Sequence, residues 1–299
     1  MTSPLKENSI TLLSVSFGSE PFLQLNREYL RALNPYRNPP WYVVNNSNKE
    51  CVLPKEHFTV FPGSKEKSAQ TKGLASFHHA EGLHIGMNQP FSSRFLLILD
   101  PDFYLIKPNW IEKITSFMVE NGLSLFGSTW HPSQSEKYRY FPSVHCLFID
   151  ATIIDVHSLS FRPEIDKVPL KKKIANRLPQ GSLLCRMFRV GTSRDTGYQI
   201  FRRYFGKKKL RYDCFTPFFN PSTMAFIASK ILPEAFSIIP KKSRYYSRER
   251  FLPSIGCDCP WEEFFWQGKP IAFHFRNLIN SRCTENNLIE ARKILSKIS

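Results

Sequence analysis

The sequence predicts an α/β protein with a mostly parallel central sheet between helices, and three observations carry that prediction. An unbroken apolar run, Phe95 to Leu99, ends abruptly in Asp100-Pro101-Asp102. Ahead of it, short runs rich in β-branched and aromatic residues alternate with segments of helical spacing. Hydrophobic residues make up 42% of the 299 positions, enough for a sizeable core in one large domain or two lobes.

Taken in order, residues 10–19 open with a strand and close on Gly18-Ser19, a turn signal. Phe22, Leu25, Tyr29, Leu30 and Leu33 then recur at helical spacing until Asn34-Pro35. Trp41 to Val44 and Phe58 to Phe61 read as two more strands. Ser68 to Met87 reads as a helix whose small residues, Gly73, Ala75, Ala80 and Gly82, permit close packing. His78, His79 and His84 fall on that helix without the spacing of a zinc motif, so packing beside a ligand explains them better.

The run Phe95–Leu99 reads as a strand covered on both faces. Beyond it, Asn109 is an expected N-cap with Glu112 three residues on, and Trp110, Ile111, Ile114, Phe117 and Met118 form a buried stripe. Leu123 to Gly127 and Tyr138 to Asp150 read as strands, the second entered through a proline kink. The stretch 151–212 is less regular, with a helix expected after Arg194-Asp195-Thr196-Gly197, and residues 215–265 read as Pro-rich, aromatic loops. Pro270 to Asn277 is a short apolar strand carrying His274, and 286–298 an amphipathic helix. The expected organisation is a first half over 1–132, a basic, irregular half over 133–280 and a C-terminal helix over 281–299.

Asp100 and Asp102 sit at the C-terminal end of a buried strand, the edge of an open α/β sheet where ligands bind. Two apart in an extended chain, they point the same way. Like charges that close raise each other's pKa unless a cation lies between them, and Mg²⁺ or Mn²⁺ takes carboxylate oxygens together with substrate phosphates. Asp-Pro-Asp is also a common turn, and both readings stand at this point.

The net charge of +16 is unevenly placed: residues 162–211 hold fifteen Lys or Arg against Glu164, Asp166 and Asp195. Such a segment attracts phosphate as a nucleotide, a nucleic-acid backbone or an anionic membrane, or is simply a solvated face. Seven scattered cysteines fit free thiols, and Cys257-Asp-Cys259 lacks the second pair a zinc site needs. The polar N-terminus and the short apolar runs lead us to expect a cytoplasmic protein, at most peripheral at the inner membrane face.

The order of parts resembles the nucleotide-binding half of GT-A-fold glycosyltransferases, particularly family-2-like enzymes. The features that carry the resemblance are the opening strand to Ser16-Phe17-Gly18, the second strand ending in Asn45-Asn46-Ser47, the helix from Lys72-Gly73 to Gly82, and Leu97-Ile-Leu-Asp100-Pro-Asp102-Phe103, which looks like the Asp-x-Asp strand of that fold. It covers roughly residues 10–132.

The resemblance implies a GT-A-like, Rossmann-like architecture, a nucleotide-diphosphate sugar as donor, a hydroxyl of a glycan or lipid-linked molecule as acceptor, and Mn²⁺ or Mg²⁺ as cofactor. It implies donor contacts from Ser16, Asn46 (where an aspartate is commoner), Lys72, His79, Asp100 and Arg194. It further implies metal ligation by Asp100, Asp102 and His274. If the reaction inverts, a carboxylate must accept the acceptor's proton, and Asp195 is the candidate, with N-capping of the following helix as its rival role.

A nucleotidyltransferase shares such a sheet but leans on a basic, glycine-rich loop, and Ser16 to Pro21 has one glycine and no basic residue. A nucleic-acid-binding protein using 162–211 is the third reading. It lacks any recognised motif, and no specific nucleic-acid binding is expected.

Overall fold

The computed structural model describes residues 6–47, 49–64, 75–132, 134, 136–164, 169–180, 182–189, 191–219, 261–275 and 281–298. Ten strands form one sheet: β1 (Lys6–Ser16), β2 (Trp41–Asn45), β3 (Thr59–Pro62), β4 (Ser93–Leu99), β5 (Phe103–Leu105), β6 (Leu125–Thr129), β7 (Pro142–Asp150), β8 (Tyr212–Pro217), β9 (Trp261–Trp266) and β10 (Lys269–Phe275). Their spatial order is β3-β2-β1-β4-β7-β6-β8-β9-β10-β5. Helices α1 (Glu20–Leu33), α2 (Ala75–Met87), α3 (Trp110–Glu120), α4 (Leu170–Ala175), α5 (Leu183–Arg189), α6 (Tyr198–Tyr204) and α7 (Ser281–Ile298), with a short 3-10 helix at Val156–Ser158, complete the described elements.

The strand alternation divides the core in two. Phe95, Leu97 and Leu99 of β4 pack with α1, α3 and α7, while Leu96 and Ile98 pack with α2 and α6. Both faces of β4 are therefore covered, as its unbroken apolar run requires. On the second face α2 lies close to β1: a Cβ on Gly82 would stand 2.6 Å from Val15 Cγ1. That contact gives the expected small-residue packing its physical reason.

Three expectations need correction. The sheet is mixed: β3-β2-β1-β4 and β6-β8 run parallel, but β4-β7, β7-β6, β8-β9, β9-β10 and β10-β5 are antiparallel. In the first parallel set α1 falls between β1 and β2 and α2 between β3 and β4, while β7 and helices α4–α6 separate β6 from β8. An all-apolar run marks burial on two faces, and antiparallel strands inside a covered sheet show the same pattern. Asn109 does not cap α3 with its side chain; its backbone is left-handed at φ 55. Asn34 at the end of α1 takes that role, its Oδ1 accepting the Ile111 N–H at 3.1 Å. Finally, the stretch expected as loops over 215–265 contains the end of β8 and most of β9. Cys257 and Cys259 lie outside the described residues.

Strands on either side of the expected boundary at 132 interleave, since β7 lies between β4 and β6.

Gly127 marks the tightest contact between strands. Its φ is +153, and a Cβ there would stand 1.9 Å from the Cys146 carbonyl oxygen of β7. A backbone atom cannot rotate away, so Gly127→Ala is expected to destabilise the fold by about 3 kcal/mol, measured as the shift of the urea unfolding midpoint at constant slope.

Candidate metal and substrate site

Strand register assembles this site. Asp100-Pro101-Asp102 carries the chain from β4 to β5, that is, from mid-sheet to the opposite end of the strand order. There β5 pairs with β10 so that Phe103 faces His274, and β10 pairs with β9 so that His274 faces Glu262. Cross-strand neighbours share a face, and His274 is thereby placed between two carboxylates. Its Nε2 is 3.5 Å from Asp102 Oδ1 and its Nδ1 3.5 Å from Glu262 Oε2.

Asp100, Asp102 and His274 each offer a ligand atom within 4.8 Å of the others. Two carboxylates and one imidazole suit a divalent cation of the Mg²⁺ or Mn²⁺ type, with remaining positions left for substrate oxygens. Glu262, buried behind His274, stands on the Nδ1 side while Nε2 faces Asp102, the side on which metal-binding histidines carry their outer-shell partner. Burial would lower the His274 pKa; the negative charges of Asp102 and Glu262 outweigh it and hold it up at about 9. The imidazolium is thus a local counter-charge that a metal ion would displace along with its proton.

A cleft of about 450 Å³ opens in front of these groups. Asp100, Asp102, His79, His145 and Asp195 all line it, with Phe17 and Trp130 as apolar walls. His79, on α2, places Nε2 3.5 Å from Asp100 Oδ1. Asp195 reaches the cleft from the turn before α6 and forms an ion pair with Lys137. Its carboxylate also accepts the Thr196 N–H at 2.8 Å, so the side chain does not cap α6. Burial would raise the Asp195 pKa, but the Lys137 ammonium and surrounding hydrogen bonds hold it below the ordinary carboxylate value.

Of the other expected donor contacts, Ser16, Asn46 and Arg194 lie behind the cleft or away from it. Ser16 is fully buried and braces the β1–α1 turn, its Oγ accepting the Ser19 N–H at 3.2 Å. Asn46 joins β2 to α2: its side-chain amide donates to the His78 carbonyl and its N–H donates to the Ser16 carbonyl at 2.9 Å. Arg194 is turned to Glu164 at 3.3 Å, with its guanidinium over the Tyr198 ring. Lys72 lies outside the described residues. Among the groups the sequence reading did not single out are Glu262, His131, which stands 3.5 Å from the other oxygen of Glu262, and His145.

No protein-family model and no curated protein matches this chain. Solved structures resemble it distantly, and those named here are glycosyltransferases. The mannosyltransferase PcManGT from Pyrobaculum calidifontis, in complex with GDP-Man and Mn²⁺, is 8% identical over 54% of this chain and 50% of its own, with a TM-score of 0.38. TarS from S. aureus in complex with UDP is 12% identical over 60% and 54%, with a TM-score of 0.37. The galactosyltransferase LgtC, in complex with donor and acceptor sugar analogues, is 10% identical over 96% and 95%, with a TM-score of 0.40. This chain spans about half the length of the first two. At such scores the reading of the site rests on its own geometry.

The pairing of Asp195 with Lys137 yields a pH prediction. Because the folded pKa lies below the unfolded value, the pair contributes stability above about pH 4 that is lost as pH falls through the folded value. Lys137→Met removes the ammonium and leaves burial, which raises the pKa, opposed by the Ser76 and Thr196 hydrogen bonds. The acid limb of the melting-temperature profile is expected to move to higher pH, and the Asp195 carboxyl carbon to titrate at higher pH than in the wild type in NMR.

Proposed function

We propose that this chain is a GT-A-type, metal-dependent glycosyltransferase that moves a sugar from a nucleotide-diphosphate donor to a hydroxyl acceptor in the assembly of a surface glycan. The observation that carries the reading is the Asp100-Asp102-His274 cluster, whose two carboxylates stand at the C-terminal end of β4 and line a cleft large enough for a nucleotide sugar's reacting end. A divalent cation held by these three residues would neutralise the charge developing on the departing diphosphate.

The chain's own residues divide the rest of the task. Glu262 holds His274 in register, and His79 and Asp100 border the entrance to the metal position. Asp195 is the acceptor-side base for an inverting reaction; Lys137 keeps it ionised, and therefore accepting, at neutral pH, at some loss of basicity. A nucleotidyltransferase of similar sheet is less well supported, since the β1–α1 turn, Phe17-Gly18-Ser19, brings no basic group to the cleft.

On the acceptor side, we propose contact with an anionic lipid surface that carries the acceptor. In α4 and α5, Leu170 and Leu184 are 73% and 56% exposed beside the exposed Lys171 and Lys173, and no acid occurs between Lys167 and Arg194. Exposed aliphatic and basic side chains together favour the headgroup region of an anionic bilayer. No helix among the described residues is long and apolar enough to cross a membrane.

Two measurements test this. Melting of the purified protein with a panel of nucleoside diphosphates, with and without Mn²⁺, is expected to show one nucleotide raising the transition by several degrees only when metal is present, with the effect absent in Asp102→Ala. Equal melting under every condition sinks the donor reading. In co-sedimentation with phosphatidylglycerol vesicles, Leu170→Glu/Leu184→Glu is expected to weaken binding about tenfold or more, since each leucine inserted is worth about 1.5–3 kcal/mol. Binding that is equal on phosphatidylcholine, or unmoved by the double variant, removes the lipid surface from the proposal.

A further inference from the structure

The register that brings His274 to Asp102 brings another histidine to Asp100. In β7, Cys146 pairs with Leu99, and the next pairing has the Asp100 N–H donating to the His145 carbonyl at 2.8 Å. His145 is 8% exposed and its side chain reaches the wall of the cleft. Its outer nitrogen, Nδ1, lies 3.2 Å from Ser143 Oγ, which lies 3.0 Å from Ser128 Oγ. The inner nitrogen, Nε2, faces Asp100 Oδ2 at 4.0 Å. Trp130 packs against the ring at 4.2 Å between centroids, and the His274 ring lies 4.6 Å away at 38°.

His145 therefore repeats the arrangement of His274. Each imidazole has its outer nitrogen against a buried polar side chain and its inner nitrogen turned to one member of the Asp pair. The separations of 3.5 and 4.0 Å from the carboxylates exceed those of direct N–H···O hydrogen bonds. They fall within the range between neighbouring and opposite ligand atoms, about 3 and 4.2 Å, around a six-coordinate ion with bonds of about 2.1 Å. The set within 4.8 Å is Asp100, Asp102 and His274, and His145 joins it through its approach to Asp100. His79 is placed differently: it approaches the other oxygen of Asp100 from α2, and its side chain is twice as exposed, at 20% against 10%.

We infer that His145 is a fourth protein ligand to the cation, making the donor set two carboxylates and two imidazoles, and that this set favours Mn²⁺ and similar borderline ions over Mg²⁺. The inference rests on the metal-site reading above. Its chemical basis is that a second imidazole favours transition ions, whereas Mg²⁺ prefers oxygen ligands and retained water.

The test uses the purified chain with Mn²⁺ alone, without nucleotide. Pulsed electron paramagnetic resonance of the loaded wild type is expected to show two coordinated imidazole nitrogens, falling to one in His145→Phe and staying at two in His79→Phe. By calorimetry, His145→Phe is expected to weaken Mn²⁺ binding at least about tenfold, the lower range for losing even an outer-shell partner, while changing Mg²⁺ binding less than about threefold. His145→Gln serves if the Phe variant does not fold, and Asp102→Asn is expected to lose both metals. A wild-type spectrum with one nitrogen, or a folded His145 variant with unchanged Mn²⁺ affinity, overturns the ligand assignment while leaving the site itself intact. Absence of Mn²⁺ binding to the wild type overturns both.

Discussion

Mutual repulsion of two carboxylates at the end of a buried strand is the constraint around which this structure is arranged. Asp100 and Asp102 are one residue apart and are set where water is scarce, an arrangement that calls for compensating charge. Beside Asp102 it comes from the His274 imidazole, whose pKa is raised, while His79 and His145 stand around Asp100 as polar neighbours. Each arrives on a different element, α2, β7 or β10. The sheet must therefore bring β10 to the short β5, and Pro101 between the two acids marks the exit from β4 toward that pairing.

The elements with local signatures were legible in the sequence. Periodicity marked α1 and α3, the apolar run marked β4, and its two acids stood out because they follow directly on five consecutive apolar residues. His274 was reached through a resemblance, since nothing local ties it to Asp102. The tie is the register of β10 on β5, between residues some 170 positions apart, and no local signature announces it. His145 did leave a trace: Ser143 and His145 are polar positions at period two in a strand whose other residues are mostly apolar, which places both on one face. Asn109 looked like a cap because it precedes an apolar helix. Asn34, distant in sequence and adjacent in space, displaced it.

Charge counting was informative in a different way. The excess over 162–211 suggests a continuous basic field, yet part of it is answered within the fold. Glu164 takes Arg194 and Arg202, Glu136 takes Lys172 and Arg189, and Asp195 takes Lys137 from outside the segment. The more exposed of these pairs, those of Glu136 and of Arg202, add little stability. Their effect is positional: Glu136 ties α4 and α5 to the loop that also delivers Lys137 to the cleft wall. The outward side of α4, where Leu170, Lys171 and Lys173 are exposed, is a smaller and more apolar surface than composition implies.

The distance in sequence between Asp100 and His274 has one more implication. An ion gripped by both would act as a cross-link, closing a loop that contains most of the second half of the chain. Closure of so long a loop restricts an unfolded chain much as a disulfide does. The described cysteines are all free thiols. The same ion that serves a reaction at the cleft would then also fasten the last strand of the sheet to its middle, so that holding metal and holding shape become one property of the fold.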